Sequence, residues 1–485
     1  MLRAMIPPEQ SKWFVLAASS LGALLATVMA TAVNIMLPLL EPIFNVEFAL
    51  VQWVLLSFLL ANITLLPILG RLADMLGRKQ MFTIGYGVFT LGSLACALSG
   101  NIWTLIAMRI VQGIGAAIIT ALGFALITSN FPAHERGKAI GINGAVLSAG
   151  VVIGPTLGGI LLEVFTWRYV FMLGVPMGII GTLLAVAVVP NDKPVPGQRF
   201  DVAGAVSLFI ALLSLSLAVT MGQRLGFTSS LVVQLFTAAA LAGVLFVRVE
   251  LRSPHPAIDL RLFQNSELSV GLSAGLVVFV CISGAIFVAP FFLQNVVGYN
   301  AQQTGMLMSV VPIFLVFIAP IAGSLSDRYG ARPITIAGLF SLLIGYTAIR
   351  TLTPDVTPLG YVLRFLPIGI GMGTFQSPNN SAIMGAVPKA QAGIAGGLLV
   401  MTRTFGQTVG VAVLGSLWAT RVLTRAGSTT IAPTEASGII QVDAMRDMLI
   451  INQALIVLAL GLCCWDLWQR RRARSQAYAE RLVTP

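Results

Sequence analysis

The sequence predicts an all-α polytopic membrane protein, and three observations carry that prediction. Apolar residues make up 57% of the 485 residues, charged residues only 10%, and the mean hydropathy is +0.91. Soluble domains carry about 25% charged residues, so this chain lacks the charge to cover a water-facing surface. Its apolar runs are long and continuous rather than short and alternating, which favours helices over a transmembrane β-barrel.

Charge-free intervals place the predicted membrane spans, since a helix needs about 20 apolar residues to cross the hydrocarbon core. The stretch between Glu267 and Asp327 is uncharged and long enough for two helices around a turn near residues 294–303. We predict fourteen spans, at residues 13–38, 50–70, 81–99, 104–127, 138–162, 169–189, 202–221, 229–248, 268–293, 303–323, 334–351, 358–379, 393–418 and 447–468.

The distribution of basic residues predicts the orientation of these spans. An even number of spans puts both termini on one side, and with the termini inside, about twenty Lys and Arg residues face the cytoplasm against six outside. We therefore expect a multi-pass protein of the cytoplasmic (inner) cell membrane with both termini in the cytoplasm. The net charge of +11 reflects this topology rather than nucleic-acid binding, and the basic run at 470–474 is expected to contact anionic lipids.

Residues that carry metal or nucleophilic chemistry are scarce. The two histidines, His134 and His255, are far apart, and the four cysteines lie in apolar stretches without metal or disulfide spacing. We therefore expect no catalytic residue, no cofactor and no metal site, and an enzyme is the weakest interpretation.

Two related loops recur about 250 residues apart. The first reads GRLADMLGRK from Gly70, and the second reads GSLSDRYGAR from Gly323. Glycines let helix ends turn tightly, and an acid between them can pair with arginine or face a helix amino terminus. Such repetition is typical of a transporter built from structural repeats, with its substrate site between them near the bilayer midplane. The candidate gating residues are Gly70, Asp74, Gly77, Arg78, Gly323, Asp327 and Arg328.

Further motifs resemble the major facilitator superfamily, and in particular its fourteen-spanner drug:proton antiporter branch. Residues 105–115 are similar to the family's fourth-helix motif with its buried arginine, and residues 150–159 to the fifth-helix signature of its antiporters. Residues 167–171 and 200–204 are similar to strings in the fourteen-spanner branch. The resemblance implies a six-helix bundle at 1–190, two additional helices with linkers at 191–260, and a second six-helix bundle with a basic cytoplasmic tail at 261–485.

The fifth predicted span carries small residues on one face. Gly150, Gly154 and Gly158 recur every four residues, so a neighbouring helix can approach closely. Pro155 bends this helix, and Gly159 completes the motif. The resemblance implies that the helix also seals the carrier against leaks, while ordinary small-residue packing explains the same spacing.

Polar side chains within the spans indicate a wet central cavity. Arg109 lies a few residues inside the fourth span, where a charge is costly unless it has partners or water. We expect oxygens on neighbouring helices to hold Arg109 and the guanidinium to face the cavity. The other candidates for substrate or coupling contacts are Thr31, Asn34, Gln52, Trp53, Asn62, Gln376, Asn379, Arg403 and Gln407, each of which also fits an ordinary contact between helices.

No acidic residue lies deep in a predicted span, because all 18 fall in loops or at span ends. Met29 stands where many members of the resembling branch carry aspartate. Proton coupling is therefore expected to be weak, or to run through peripheral acids such as Asp74, Glu163, Asp201 and Glu267.

Together these patterns predict a secondary active transporter that exports amphipathic small molecules by alternating access, in the manner of multidrug efflux, with protons as a candidate second partner. The alternative is a facilitator or exporter of a lipid-like or anionic metabolite without classical proton antiport. A non-transporting membrane receptor is less favoured, since the gating loops are duplicated and no soluble signalling domain is present. We expect membrane lipids around the protein, no nucleic-acid partner and a functional monomer.

Overall fold

The computed structural model describes residues 8–132, 135–191, 202–252, 260–388, 392–427 and 432–483, which are almost entirely helical. The amino-terminal helices are α1 (Pro8–Phe44), α2 (Phe48–Leu76), α3 (Arg78–Ala97), α4 (Ile102–Asn130), α5 (Arg136–Val164), α6 (Arg168–Met172) and α7 (Gly174–Val188). They are followed by the pair α8 (Val202–Leu225) and α9 (Ser230–Arg252).

The carboxy-terminal helices are α10 (Ser266–Phe291), α11 (Ala301–Met308), α12 (Val310–Tyr329), α13 (Ala331–Ile349), α14 (Pro358–Gly385), α15 (Ala392–Val409), α16 (Gly415–Ala426) and α17 (Gly438–Val483). Two short π-helical turns interrupt them, at Phe292–Val296 after α10 and at Gly410–Leu414 between α15 and α16. Short 3₁₀ turns lie at Leu260–Gln264 and Pro433–Glu435.

Thirteen helical segments in the described residues are long and apolar enough to cross a membrane, and each coincides with a predicted span. The remaining predicted span, 358–379, is helical as α14 but falls outside that set, since it carries Arg364 and two internal prolines. The chain is therefore an integral, multi-pass membrane protein. Large apolar side chains such as Leu91, Leu241 and Phe317 are exposed on its outside, as a lipid-facing surface requires.

The last helix is longer than the sequence predicts. The expected span was 447–468, but α17 runs from Gly438 to Val483, through the basic segment that was assigned to a tail. The continuation has a physical cause, since residues 466–483 contain neither glycine nor proline and are rich in Arg and Ala, which favour helices.

The two related loops form the same backbone turn. Gly77 separates α2 from α3 with φ 99° and ψ 125°, and Gly330 separates α12 from α13 with φ 88° and ψ 151°. Side chains rarely permit this backbone region, so glycine is required at both positions. Each glycine N–H also donates to the carbonyl four residues earlier, of Ala73 at 2.9 Å and of Ser326 at 2.8 Å. The repeat seen in sequence is thus a structural repeat at these turns.

The pair α8–α9 contacts both the amino-terminal and the carboxy-terminal helices. A small apolar cluster joins Leu208 and Leu212 of α8 and Phe246 of α9 to Ile63 of α2, with Phe405 of α15 packed against it. The pair therefore lies along the junction between α2 and α15 rather than against one group of helices alone.

Candidate functional site

A cavity of about 150 Å³ lies where the amino-terminal and carboxy-terminal helices meet. Its walls come from α1, α2, α5, α10, α12, α14 and α15, with Leu55, Phe279 and Met372 among the apolar lining. The polar lining residues are Thr31, Asn34, Ser148, Ser283, Gln376, Arg403 and Gln407. Among the described residues that line the cavity, Arg403 is the single charged one and none is acidic. The cavity thus combines apolar walls, amide and hydroxyl groups, and one cation.

Five of the predicted cavity residues lie in this lining: Thr31, Asn34, Gln376, Arg403 and Gln407. Helix geometry brings them together, since Arg403 and Gln407 are one turn apart on α15 and share a face. The Thr31 hydroxyl donates to the Thr27 carbonyl at 2.9 Å, whereas the side-chain oxygen of Asn34 is buried without a hydrogen-bond partner. Whether they touch a substrate stays a prediction.

The expectation that Arg109 faces the cavity is wrong. Arg109 has 0% exposure and is absent from the cavity lining, because it points into the packed interior of the amino-terminal helices. Its Nε donates to the Val54 carbonyl of α2 at 3.0 Å, and its Nη1 donates to the side-chain oxygen of Gln112. Gln112 in turn donates to Ser93 at 2.7 Å, and the guanidinium lies 4.2 Å from the Phe58 ring centroid. The expected oxygen on a neighbouring helix is the Val54 carbonyl, whereas the second acceptor, Gln112, lies on the same helix as Arg109.

Four other predicted residues also lie away from the cavity. Gln52 and Trp53 line a separate vestibule of about 1110 Å³, between the α1–α2 connection and α16. Asn379 is buried and donates to the Gly271 carbonyl at 3.0 Å, so it joins α14 to α10. Asn62 does not appear in either lining. Composition alone does not fix which face of an apolar helix meets the cavity, and this explains the misplacement.

We call the end of the molecule that holds Phe44–Phe48 and Phe292–Val296 the closed end, because hydrogen bonds join the two groups of helices there. Gln294 donates to the Ile35 carbonyl of α1 at 2.8 Å, and Thr434 donates to Glu41 at 2.8 Å. The hydroxyls of Thr156 on α5 and Ser309 before α12 are 2.8 Å apart. These bonds join the amino-terminal and carboxy-terminal helices directly.

Aromatic packing reinforces the closed end. The Phe48 ring of α2 lies 5.7 Å from the centroid of Phe287, 5.0 Å from Phe291 and 5.4 Å from Trp418. Phe287 and Phe291 belong to α10 and Trp418 to α16, so one amino-terminal side chain fills a carboxy-terminal aromatic pocket. All four rings are buried, which excludes water from this junction.

Both π-helical turns contribute to the same junction, and no local sequence pattern indicates either of them. The first contains Gln294, whose bond to Ile35 is described above. The second exposes the Val411 carbonyl, which accepts a hydrogen bond from Gln52 of α2 at 2.6 Å. The Ser416 hydroxyl donates to the side-chain oxygen of Gln52 at 3.4 Å. A π turn widens the helix locally and is frequent at functional sites.

The glycine face of α5 packs closely on two different helices. A Cβ added at Gly150 would lie 3.1 Å from the Thr27 Cβ, and one added at Gly158 would lie 3.0 Å from the Ala32 Cβ. A Cβ at Gly154 would overlap Thr31, and all three of these neighbours are on α1. A Cβ at Gly159 would instead overlap the Ala301 carbonyl of α11, and the Pro155 carbonyl similarly abuts Gly305. The expected close packing is therefore present, and part of it reaches the carboxy-terminal helices.

The gating candidates lie at the opposite end, which carries the turns at Gly77 and Gly330. Asp327 and Arg328 are exposed, and the Arg328 guanidinium lies 5.3 Å from the Tyr329 ring. Gly77 is buried at its turn, Arg78 begins α3 and Gly323 lies within α12. The side-chain surroundings of Gly70 and Asp74 lie outside the described residues.

An ion network at this end was missed from the sequence. Arg332 pairs with Asp466 at 2.7 Å, Arg470 pairs with the same carboxylate at 3.0 Å, and Arg470 also reaches Glu267 at 2.9 Å. Asp466 is 1% exposed, so its charge depends on these arginines. The network ties the first turns of α10 and α13 to the interior of α17. The sequence feature that points to this network is Arg332, two residues after the turn glycine Gly330. Its partner Asp466 is distant in sequence, so the pairing could not be predicted.

Within the described residues no group of three or more His, Cys, Asp or Glu side chains could hold a metal ion. The described cavity lining offers amides, hydroxyls, apolar walls and a guanidinium for non-covalent binding.

Comparison with known proteins places these features in context. The family model described as Major Facilitator Superfamily matches residues 19–411. The chain is 35% identical to the riboflavin transporter RibZ of Clostridioides difficile over 414 residues, covering 84% of this chain and 89% of the relative. It is 34% identical to the multidrug resistance protein Stp of Mycobacterium tuberculosis over 413 residues, covering 85% and 76% of the two chains.

The fold also matches a solved structure. A bacterial homologue of the human lysosomal transporter Spinster, in an inward-facing and unoccupied conformation, superposes with a TM-score of 0.66 at 17% identity. The match covers 93% of this chain and 96% of that one.

Proposed function

Since this chain belongs to the Major Facilitator Superfamily and is a transporter rather than an enzyme, we propose that it exports amphipathic small molecules across the cell membrane by alternating access. The observation that carries this proposal is the central cavity, which mixes apolar walls with amide, hydroxyl and guanidinium groups and is shut at one end by direct contacts. A lining of this kind suits a substrate with both an apolar body and polar substituents.

The relatives support the substrate class. One is named for riboflavin, a molecule with a flat ring system and a polar side chain, and another for multidrug resistance. Export, the fourteen-spanner branch, the inner cell membrane, cytoplasmic termini and a functional monomer are parts of the same proposal. With the basic loops in the cytoplasm, the closed end faces outward and the cavity is poised to receive substrate from inside.

Movement in this proposal is a relative rocking of the segments 1–190 and 261–485, with the pair at 191–260 alongside them. The glycine face holds α5 against α1, so those two helices move as one unit. Opening the closed end then requires the Thr156–Ser309 contact, the Gln294 bond and the Phe48 aromatic cluster to separate. The duplicated loops at the opposite end, including Asp74 and Asp327, act as the matching gate.

A reversible lock of the closed end tests this mechanism. Cysteines replacing Thr156 and Ser309 stand at a side-chain contact of 2.8 Å, and replacing the exposed Cys464 by serine removes a competing thiol. In proteoliposomes loaded with riboflavin, oxidation of the pair is expected to stop efflux, and a reductant is expected to restore it. The single-cysteine variants, treated identically, control for oxidation elsewhere.

Unchanged efflux through the fully cross-linked protein would overturn alternating access at this end. Absence of protein-dependent flux for riboflavin and for other neutral amphiphiles would overturn the transport of this substrate class.

The second candidate function is transport of an anionic or lipid-like metabolite without classical proton antiport. Arg403 as the single charge of the cavity lining favours it. Comparing the flux of a neutral amphiphile with the flux of an anionic one separates the two candidates.

A further inference from the structure

We propose that Arg403 forms an organic-anion subsite in the central cavity, which binds the carboxylate or sulfonate group of a small aromatic amphiphile. This inference rests on the proposed transport function and specifies the charge and size of the group that the cavity holds.

The first argument is the unbalanced charge of Arg403. Within the described part of the chain it has neither an acidic partner nor a hydrogen bond from its guanidinium, and its one recorded interaction is with the Phe279 ring, whose centroid is 5.7 Å away. A guanidinium within the membrane is costly unless water or an anion meets it. Arg109 and Arg332 are buried and are both held by oxygen atoms, whereas Arg403 is partly exposed to the cavity. Arg403 differs because its charge is available to a ligand.

The second argument is the arrangement of donors around that charge. Gln407 lies one helical turn from Arg403, and Gln376 and Asn34 enter the same lining from α14 and α1. Amide N–H groups and a planar guanidinium fork are the groups that hold a carboxylate or sulfonate by several hydrogen bonds at once. No acid in the lining opposes a bound anion or compensates a bound cation.

The third argument is size. The cavity has a volume of about 150 Å³, comparable to an apolar protein cavity that accepts benzene, and it is not fully enclosed. An aromatic ring therefore fits beside Arg403 while the rest of a larger amphiphile extends out of the cavity. The Phe279 ring lies beside the guanidinium and provides a surface on which such a ring can stack. This arrangement favours an anion that carries an aromatic ring next to its charged group.

Three probes with the same ring and different charge test the proposal: 2-naphthalenesulfonate, neutral 2-naphthalenesulfonamide and the cationic 2-naphthyltrimethylammonium ion. Binding to the full-length protein in nanodiscs is measured by calorimetry, followed by flux in proteoliposomes. We expect wild-type protein to bind the sulfonate most tightly and the cation least. Because charge-assisted hydrogen bonds are lost, Arg403→Gln is expected to weaken sulfonate binding about tenfold to a hundredfold.

Neutral sulfonamide binding should change less than about threefold in Arg403→Gln, which also shows that the variant is folded. Arg403→Lys should lie between, since lysine keeps the charge and loses the fork. Arg421→Gln is the matched control, because Arg421 is exposed on α16, away from the cavity lining.

The anion subsite is overturned if wild-type protein fails to bind the sulfonate, binds all three probes equally, or prefers the cation. It is also overturned if Arg403→Gln leaves sulfonate binding unchanged. Wild-type flux of the neutral or cationic probe, stopped by the closed-end lock, would leave the proposed transport function intact in each of those cases.

Discussion

Arg109 provides a direct test of how the amino-terminal helices are held together. Arg109→Ala removes the donors that satisfy the Val54 carbonyl and the Gln112 side chain, and it leaves a void beside Phe58. We expect a loss of about 2–4 kcal/mol in the free energy of unfolding, together with loss of transport. Thermal unfolding of the detergent-solubilised protein, followed by fluorescence, measures the first effect.

Two comparisons make the Arg109 result decisive. Arg109→Lys keeps the charge but loses the fork that reaches two acceptors, so an intermediate stability is expected. Arg421→Ala removes an exposed arginine and should leave the unfolding temperature unchanged. Wild-type stability and transport in Arg109→Ala would contradict the structural role.

The placement of Arg109 shows where sequence reasoning reaches its limit at a single position. The cost of burying a charge correctly predicts that neighbouring oxygens hold it. Its direction was not predictable, because α4 is apolar around most of its circumference and so no polar stripe marks a cavity face. On α15 the spacing of Arg403 and Gln407 did mark the correct face.

Among the helices, the bond between α2 and the second π turn is the contact with the clearest consequence for gating. Gln52→Leu keeps the approximate shape of the side chain and removes its bond to the Val411 carbonyl. The closed arrangement should be destabilised by about 1 kcal/mol relative to the open one, which lowers the ratio of closed to open molecules roughly fivefold. Spin labels at the exposed vestibule residues Asn45 and Thr420 report the change as a longer inter-label distance.

The matched control for this change is Gln234→Leu, since Gln234 is partnered only with Ser230 on the exposed part of α9. It should leave the distance distribution unchanged. If Gln52→Leu also leaves it unchanged, the α2 contact does not stabilise the closed end.

The helices themselves were largely predictable, and the π turns were not. Charge-free runs fix where a chain can cross the membrane, because lipid tolerates neither charges nor unpaired backbone groups. A π turn such as Gly410–Leu414 depends on a carbonyl finding an external partner from another helix. That partner, Gln52, is 359 residues away in sequence, so no local sequence pattern predicts the contact.

For the molecule as a whole, the distribution of acids predicts how transport responds to pH. Proton antiport needs a titrating group whose access alternates between the two sides, and the cavity lining contains no acid. Met29 is fully buried and does not titrate. Of the peripheral acids, Glu267 is paired with Arg470, and Glu163 lies 3.5 Å from Asn300 at the closed end. Asp74 and Asp201 lie outside the described side chains.

We therefore expect the initial rate of riboflavin or naphthalenesulfonate flux to be the same with and without an imposed pH gradient, when the pH on the substrate side is held constant. A protonophore should not change this rate. The substitutions Glu163→Gln and Glu267→Gln should also leave the rate independent of the pH gradient. Gradient-driven accumulation that is abolished by one of these substitutions would also contradict the prediction, and it would assign coupling to that peripheral acid. Strong accumulation that survives Glu163→Gln, Glu267→Gln, Asp74→Asn and Asp201→Asn would contradict the prediction, because the proton would then travel through a group that neither the sequence nor the cavity lining provides.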